Sequence, residues 1–543
     1  MKPQTVYEAF VQSAARTPRS DFLQVEAVTA AAYGIAPGAI SYGQAAERVE
    51  VLRRRYADAG YGHGHRVGLL LENRPAFYFH WFALNALGVS VVPISAEMRK
   101  AECLYLISHS DMCLAICLPE RAADLAAVGR DSGLPFAVAW PGAADALPPA
   151  PSAMPAAAAE IGMQTECALL YTSGTTGKPK GCRLSNAYYL NCGDWYVTAG
   201  GLCSIRPGLE RVITPLPLSH MNAMACSSMM ALLSGGCIVQ LDRFHPKTWW
   251  QSVRESRASV VHYLGVMPAM LLSAPPSAAD VQHSVRFGFG AGVDSSLHRR
   301  FEDRFGFMLL EAWAMTETGA AATVIANQEP RHVGMKCFGR PQSFVDIRLV
   351  GDGGADVPVD EPGELWVRAA GADPRRHFFS GYLKDSAATA DAWSGGWFHT
   401  GDVVRRDAAG SLYFVDRKKN VIRRSGENIS AVEVESVLNQ HPAVRAAAVA
   451  AAPDPVRGDE VLACIVTREP CPEGRRAALA QDIVRHALAE LAYYKAPGYV
   501  AFVDELPLTL SQKIQRSNLK ELAQTLPDQA NCFDMRHLKK RQD

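Results

Sequence analysis

The sequence predicts an α/β protein of more than one domain. A large N-terminal domain of βαβ units carries a small β-rich subdomain, and a small α+β domain closes the chain. Three observations predict this. Short apolar runs alternate with helical patterns at βαβ spacing from Val67 onward. The chain, at 543 residues, is too long for one compact core. Residues 171–186 form a glycine- and hydroxyl-rich loop between an apolar run and the start of a helix.

Thr5 caps a helix through Ala15, and Ser41 opens another that runs to about Ala59. Val67–Leu71 reads as a buried strand, and Asn73-Arg-Pro75 starts a helix with proline in its first turn. Val91–Ile94 returns as the next strand, so the two are parallel. The rhythm repeats through Met112–Cys117, a helix near 119–129, and Phe136–Ala139. The Pro/Ala-rich residues 141–160 read as a surface connection within one domain, because the βαβ rhythm resumes after them. Further strands are expected at 211–220 (ending on His220), 236–241, 260–264 and 285–290, with an apolar helix at 222–234. Short strands near 364–367 and 412–415 make the β-rich subdomain. Beyond it come a helix from Ser430 to Asn439, two strands, a helix over 475–491 and a last strand at 499–503. Residues 526–543 read as a frayed tail.

Composition excludes several classes. Lys+Arg and Asp+Glu balance at 55 each, which leaves no basic field for nucleic acid or a membrane surface. Thirteen cysteines without a paired C-x-x-C framework read as reduced core thiols, and Cys113 with Cys117 lacks the further ligands that zinc needs. No apolar run approaches the roughly 20 residues that cross a bilayer. The N-terminus has no signal-peptide core. A cytoplasmic protein is expected.

The loop Tyr171-Thr-Ser-Gly-Thr-Thr-Gly-Lys-Pro-Lys180-Gly holds three glycines, four hydroxyls and two lysines. Glycines let backbone N–H groups approach an anion, and hydroxyls and lysines add donors and charge for a polyphosphate. A flexible surface turn has a similar composition. It is not a Walker loop, because Gly174 and Gly177 are too close and Lys178 is followed by Pro179. The Gly290-Ala-Gly292 turn forms no Rossmann fingerprint.

The loop resembles the signature of the adenylate-forming superfamily, which includes acyl-CoA synthetases, luciferases and the adenylation domains of peptide synthetases. Three later segments match the same family in order: Trp313-Ala-Met-Thr-Glu317, Gly396-Trp-Phe-His-Thr-Gly-Asp402, and Leu506-Pro-Leu-Thr-Leu-Ser-Gln-Lys513-Ile-Gln-Arg516. The resemblance covers about residues 5–525. It implies ATP, Mg²⁺ and coenzyme A as cofactors, with Thr172, Ser173, Gly174, Thr175, Thr176, Gly177 and Lys180 on the phosphates. Gly290, Ala291, Gly292, Trp313, Ala314, Met315 and Thr316 would surround the adenine and α-phosphate, with Trp313 stacking on the base. Glu317 would hold Mg²⁺, Asp402 the ribose hydroxyls, and Arg417 the ribose or phosphate. Lys513 would bridge the substrate carboxylate and the α-phosphate, acting with Thr172, Glu317 and His220 in catalysis. His220 and Met224 would line the acyl pocket, Lys419 would be the hinge, and Gly426 would lie in the pantetheine tunnel. Domains would then span 1–418, 419–525 (mobile) and a 526–543 tail. Two departures from the pattern stand out: Trp313 replaces the commoner tyrosine, and Ala314 a glycine.

The activity implied is activation of a small or medium carboxylic acid as its acyl-adenylate, then transfer to coenzyme A. Loading of a carrier protein is the alternative acceptor reaction, and an inactive nucleotide-binding scaffold the alternative from another class. Amino-acid-activating members of the family carry an Asp in this region for the substrate ammonium, so the resemblance implies that 222–234, which has none, does not serve an α-amino acid. Asp416–Ile422, Gly426–Ser430 and Val456–Glu460 look most similar to carnitine/crotonobetaine-type CoA ligases. The sequence leaves the acid unnamed and the oligomeric state open, a homodimer included.

Overall fold

The computed structural model describes residues 2–141, 147–172, 179–424, 427–454, 457–491, 493–508 and 514–539. Over these residues the chain builds four sheets. One has six strands in the order Ala137–Ala139, Leu114–Cys117, Arg66–Leu70, Ser90–Pro93, Glu166–Thr172, Lys180–Ser185. The βαβ expectation holds there: Val67 pairs with Val91 and with Leu114, both in parallel. These strands are apolar on both faces because helices cover both, as a buried parallel sheet requires.

A second sheet runs Val324–Ile325, Met308–Trp313, Phe287–Ala291, Val260–Leu264, Arg211–Thr214, Cys237–Gln240, Asp21–Val25, Gly38–Ser41. Its last two strands are absent from the sequence reading. Asp21–Val25 lies parallel to Cys237–Gln240, a pairing across more than two hundred positions that no local pattern displays. The strand expected to end on His220 stops at Thr214, since Pro215 and Pro217 cannot donate to a ladder. The helix expected at 222–234 divides into a π-helical stretch, Asn222–Ser227, and an α-helix, Ser228–Ser234.

Capping follows the sequence closely. Thr5 accepts from the Glu8 amide, Ser41 and Gln44 form a reciprocal capping box, and Ser185 accepts from the Tyr188 amide. The β-rich subdomain is antiparallel, in the order Cys337–Gly339, Leu412–Arg417, Phe398–Arg406, Pro362–Ala369, Val345–Val350. In the C-terminal part, Val444–Asp454 and Gly458–Thr467 form a long hairpin backed by helices Ala431–Leu438 and Glu473–Glu490. All thirteen cysteines are free, and all but Cys471 and Cys532 are buried.

The frayed tail expected at 526–543 is a correction over its described residues. Cys532–Asp534 adds an antiparallel strand to Tyr499–Phe502, and Met535 enters the core. The Lys539 ammonium reaches the fully buried Glu460 carboxylate, which also accepts from Arg424 Nε at 2.9 and 3.0 Å. A carboxylate without water needs such partners, so the last turn closes a buried charge cluster rather than fraying.

Candidate active site

The glycine-rich loop joins two strands rather than a strand and a helix. Glu166–Thr172 and Lys180–Ser185 pair antiparallel, and Thr172 stands opposite Lys180. Ser173, Gly174, Thr175, Thr176, Gly177 and Lys178, at the turn between them, lie outside the described residues. So do Gly426 and Lys513, and the side chain of Lys419.

Around Thr172 and Lys180 the structure assembles Cys182, Glu317 and Tyr382. Glu317, 6 % exposed, follows strand Met308–Trp313 and accepts from the Tyr382 hydroxyl at 2.9 Å through Oε1. The Lys180 ammonium stands 4.9 Å from the centre of the Tyr382 ring. Cys182 is fully buried, its sulfur 3.9 Å from Thr172 Oγ1. Burial and the neighbouring Glu317 charge push its thiol far up, so it stays neutral.

A second cluster gathers Trp313, Asp402 and Arg417. Asp402 and Arg417 are register partners on adjacent antiparallel strands, which places their side chains on one face. Asp402 is 1 % exposed, and its Oδ2 accepts from the Trp313 indole N–H at 2.8 Å. Arg417 Nε lies 2.5 Å from Oδ1 but off the line of a hydrogen bond, so Oδ1 is buried without one among the described residues. Burial pushes this carboxyl up against the pull of Arg417. A buried acceptor left open costs free energy until a donor arrives. Trp313, expected only to stack on a base, thus also orients the Asp402 carboxylate through its indole N–H.

The third part is the turn after Phe287–Ala291. Gly292 has φ +83°, and a Cβ on Gly265 would lie 1.7 Å from the Gly292 carbonyl oxygen. The two loops can approach this closely only with glycine. Glu311 holds the turn from beneath. It accepts from the amides of Gly292 at 2.9 Å and Val293 at 3.3 Å, and from the Tyr263 hydroxyl at 2.9 Å. The sequence does not single out Glu311, since one Glu on an apolar strand carries no signal of its own.

His220 lies on an exposed turn, and its carbonyl accepts from the Met224 amide. Met224 is fully buried, with its sulfur accepting from Tyr189 at 3.4 Å. Among the described contacts, neither meets the two polar clusters above. The same helix carries a network the sequence did not reveal. The buried His262 ring lies 2.7 Å from Asn222 Oδ1 and 2.8 Å from Ser227 Oγ through Nδ1, and 3.0 Å from the Tyr196 hydroxyl through Nε2. A proton on Nδ1, assigned from the Asn222 acceptor, leaves Nε2 to accept from Tyr196.

Burial pushes His262 down to about 3 and His80 down to about 4, so both are neutral. The unfolded imidazole titrates near its ordinary 6.5, so protons bind the unfolded chain first. Their contribution to stability is full above pH 6.5 and is lost as the pH falls below it. The urea midpoint is expected to drop between pH 7 and 5, and less steeply in His262→Phe. An identical pH slope in the variant would show that His262 is not held neutral.

For a nucleotide and its Mg²⁺ the donor set fits: among the described residues one buried carboxylate oxygen at Asp402 has an ion pair but no hydrogen bond, and the Tyr382 bond engages Glu317 through Oε1 alone. No group of three or more His, Cys, Asp or Glu residues stands together among the described residues, so any metal would be shared with phosphate oxygens. No helix of the described residues is long and apolar enough to cross a membrane.

An antiparallel hairpin carrying Thr172 and Lys180, a buried acid at Asp402 and a glycine-lined turn after Phe287–Ala291 thus make up the candidate site. The AMP-binding enzyme family model matches residues 11–383, and its C-terminal domain model residues 433–513. The sulfoacetate–CoA ligase of Cupriavidus necator is 33% identical over 89% of this chain and 92% of its own. The crotonobetaine/carnitine–CoA ligase of Escherichia coli is 28% identical over 84% and 88%. In fold, the o-succinylbenzoate CoA synthetase of Bacillus subtilis, solved with its acyl-adenylate, superposes with a TM-score of 0.79 at 23% identity, covering 96% and 99%. The chain belongs to the AMP-binding enzyme family.

Proposed function

We infer that this protein is an ATP-dependent, AMP-forming acyl-CoA ligase. The observation that carries the reading is the buried Oδ1 of Asp402, ion-paired with Arg417 but without a hydrogen bond among the described residues, and tied through Trp313 to the strand that Glu317 follows. In the first half-reaction a carboxylate oxygen of the acid bonds to the α-phosphorus of ATP, and pyrophosphate departs. In the second, the thiol sulfur of coenzyme A bonds to the acyl carbon, its proton is lost, and AMP departs with the oxygen of the broken anhydride.

The protein's work is alignment and charge stabilisation. Thr172 and Lys180, with the loop residues 173–177, bind the β- and γ-phosphates. Glu317 would hold Mg²⁺, which when bound offsets charge on the phosphate oxygens. Asp402 and Arg417 seat the ribose, Trp313 and the 290–292 turn the base, and Lys513 holds the carboxylate against the α-phosphate. The named relatives are ligases of sulfoacetate and of crotonobetaine or carnitine, small acids with a polar far end. We place this chain's substrate among small or medium acids, with the uncharged Asn222–Ser227–His262 set beneath the helix that would border its acyl group.

The domains would divide near 418. Asp416 accepts from Ser430 Oγ at 3.1 Å and from the Val432 amide at 3.2 Å, and so ties the strand before the boundary to the helix after it. Rotation there would exchange Lys513 for the thiol. Proline fixes a torsion that rotation must change, so Lys419→Pro is expected to spare adenylation and cripple thioester formation. Equal loss of both half-reactions would move the hinge elsewhere.

Pyrophosphate release across a panel of carboxylic acids, with ATP and Mg²⁺ and with or without coenzyme A, tests the function. CoA-dependent AMP formation with one acid supports the ligase and identifies the substrate. Pyrophosphate that is indifferent to CoA would favour a carrier-protein thiol, and no release with any acid the scaffold reading.

A further inference from the structure

Tyr382 sits where the segment 379–383 docks on strand Lys180–Ser185. The Ser380 amide donates to Arg183 O at 2.8 Å, Arg183 N to Gly381 O at 3.1 Å, and Leu383 N to Gly181 O at 2.8 Å. The same segment reaches the opposite wall, where the Phe379 amide donates to the Glu317 carbonyl at 2.9 Å. The Tyr382 amide is held by Thr389 Oγ1 at 2.9 Å. The ring is therefore fixed between Lys180 on one side and Glu317 on the other.

Opposite charges within side-chain reach in a partly dry cleft attract strongly. Yet Lys180 makes no ion pair among the described residues, and its ammonium lies over the Tyr382 ring, 4.9 Å from the centroid. Glu317 takes a hydrogen bond from the phenol, a neutral donor. A carboxylate oriented by neutral donors retains its full charge for a metal, whereas a lysine partner would cancel it.

We propose that Tyr382 is a positioning residue that holds Lys180 and Glu317 apart, the ring seating the lysine for phosphate and the hydroxyl aiming the carboxylate for magnesium. This rests on the ATP and Mg²⁺ reading above. It predicts two separable losses. Tyr382→Phe keeps the ring and loses the hydroxyl. Tyr382→Leu loses both and lets Lys180 reach Glu317.

The experiment is Mn²⁺ binding by electron paramagnetic resonance to the full chain, loaded with a non-cleavable α,β-methylene analogue of ATP. Alongside it, thiolysis of supplied acyl-adenylate and the melting temperature are measured. Tyr382→Phe is expected to weaken Mn²⁺ binding by roughly 2- to 10-fold, the scale of one hydrogen bond, with thiolysis and melting little changed. Tyr382→Leu is expected to weaken it further. A merely structural tyrosine would lower melting and thiolysis together and leave Mn²⁺ affinity in place. Unchanged Mn²⁺ affinity in Tyr382→Phe, beside a loss in Glu317→Gln, overturns the inference and spares the metal site. Leu no worse than Phe overturns the spacer role of the ring. Unchanged affinity in Glu317→Gln overturns the metal assignment itself, and this inference with it.

Discussion

Lys513→Ala is expected to lower adenylate formation by about 10²- to 10³-fold or more, the scale of removing one preorganised charge from a transition state. Adenylate made elsewhere and supplied to the variant should still react with coenzyme A. The asymmetry follows from the chemistry. In the first half-reaction two anions, a carboxylate and a triphosphate, must meet, and a point charge between them offsets their repulsion. In the second half-reaction the nucleophile is a thiol and the leaving group is AMP, so no such pair of anions has to be joined. The described residues just beyond it are anchored. Arg516, three residues on, forms a two-point ion pair with Glu435 at 2.6 and 2.7 Å and donates to Val449 O at 2.9 Å. Rapid-quench measurement of both half-reactions decides the matter, and a variant slowed equally in both would remove Lys513 from its assigned role.

Gly265→Ala is the second large effect, and it needs no family pattern to anticipate it. The added methyl would stand 1.7 Å from the Gly292 oxygen and 2.4 Å from its carbon, both backbone atoms that no side-chain rotation can move away. The 290–293 turn must therefore shift, and the Glu311 hydrogen bonds that hold it are strained with it. A displacement of about 1 Å at a positioning loop costs about 10²-fold in rate, so adenylation should fall by that order. The fold should survive, since both loops lie at strand ends. Nucleotide affinity by calorimetry and pyrophosphate exchange check this, and a variant with wild-type values in both would show that the close approach is not needed for the site.

The site was legible in the sequence where chemistry is carried by short contiguous strings. Thr172, Lys180, Glu317, Asp402 and Arg417 stand in such strings, and the described side chains fall into two polar clusters drawn from three sheets and the loops between them. Tyr382, Glu311 and His262 were not singled out by the sequence. Their importance lies in a partner far along the chain: Glu317 for Tyr382, Gly292 for Glu311, Tyr196 and Asn222 for His262.

By itself the sequence determined the class of reaction, the two-part α/β architecture and most helix starts. Loop chemistry, caps and apolar periodicity are local properties, encoded within a few residues of where they act. Only the tertiary structure decided that Thr172 and Lys180 face each other on an antiparallel pair, that Asp21–Val25 joins the second sheet, and that Lys539 seals a buried carboxylate. It also decided that Trp313 turns its N–H on Asp402 and that a tyrosine ring stands between Lys180 and Glu317. These are pairings across tens to hundreds of residues. They are set by which apolar faces pack together and which buried polar atoms must then find a partner, and that requirement exists only once the chain has folded.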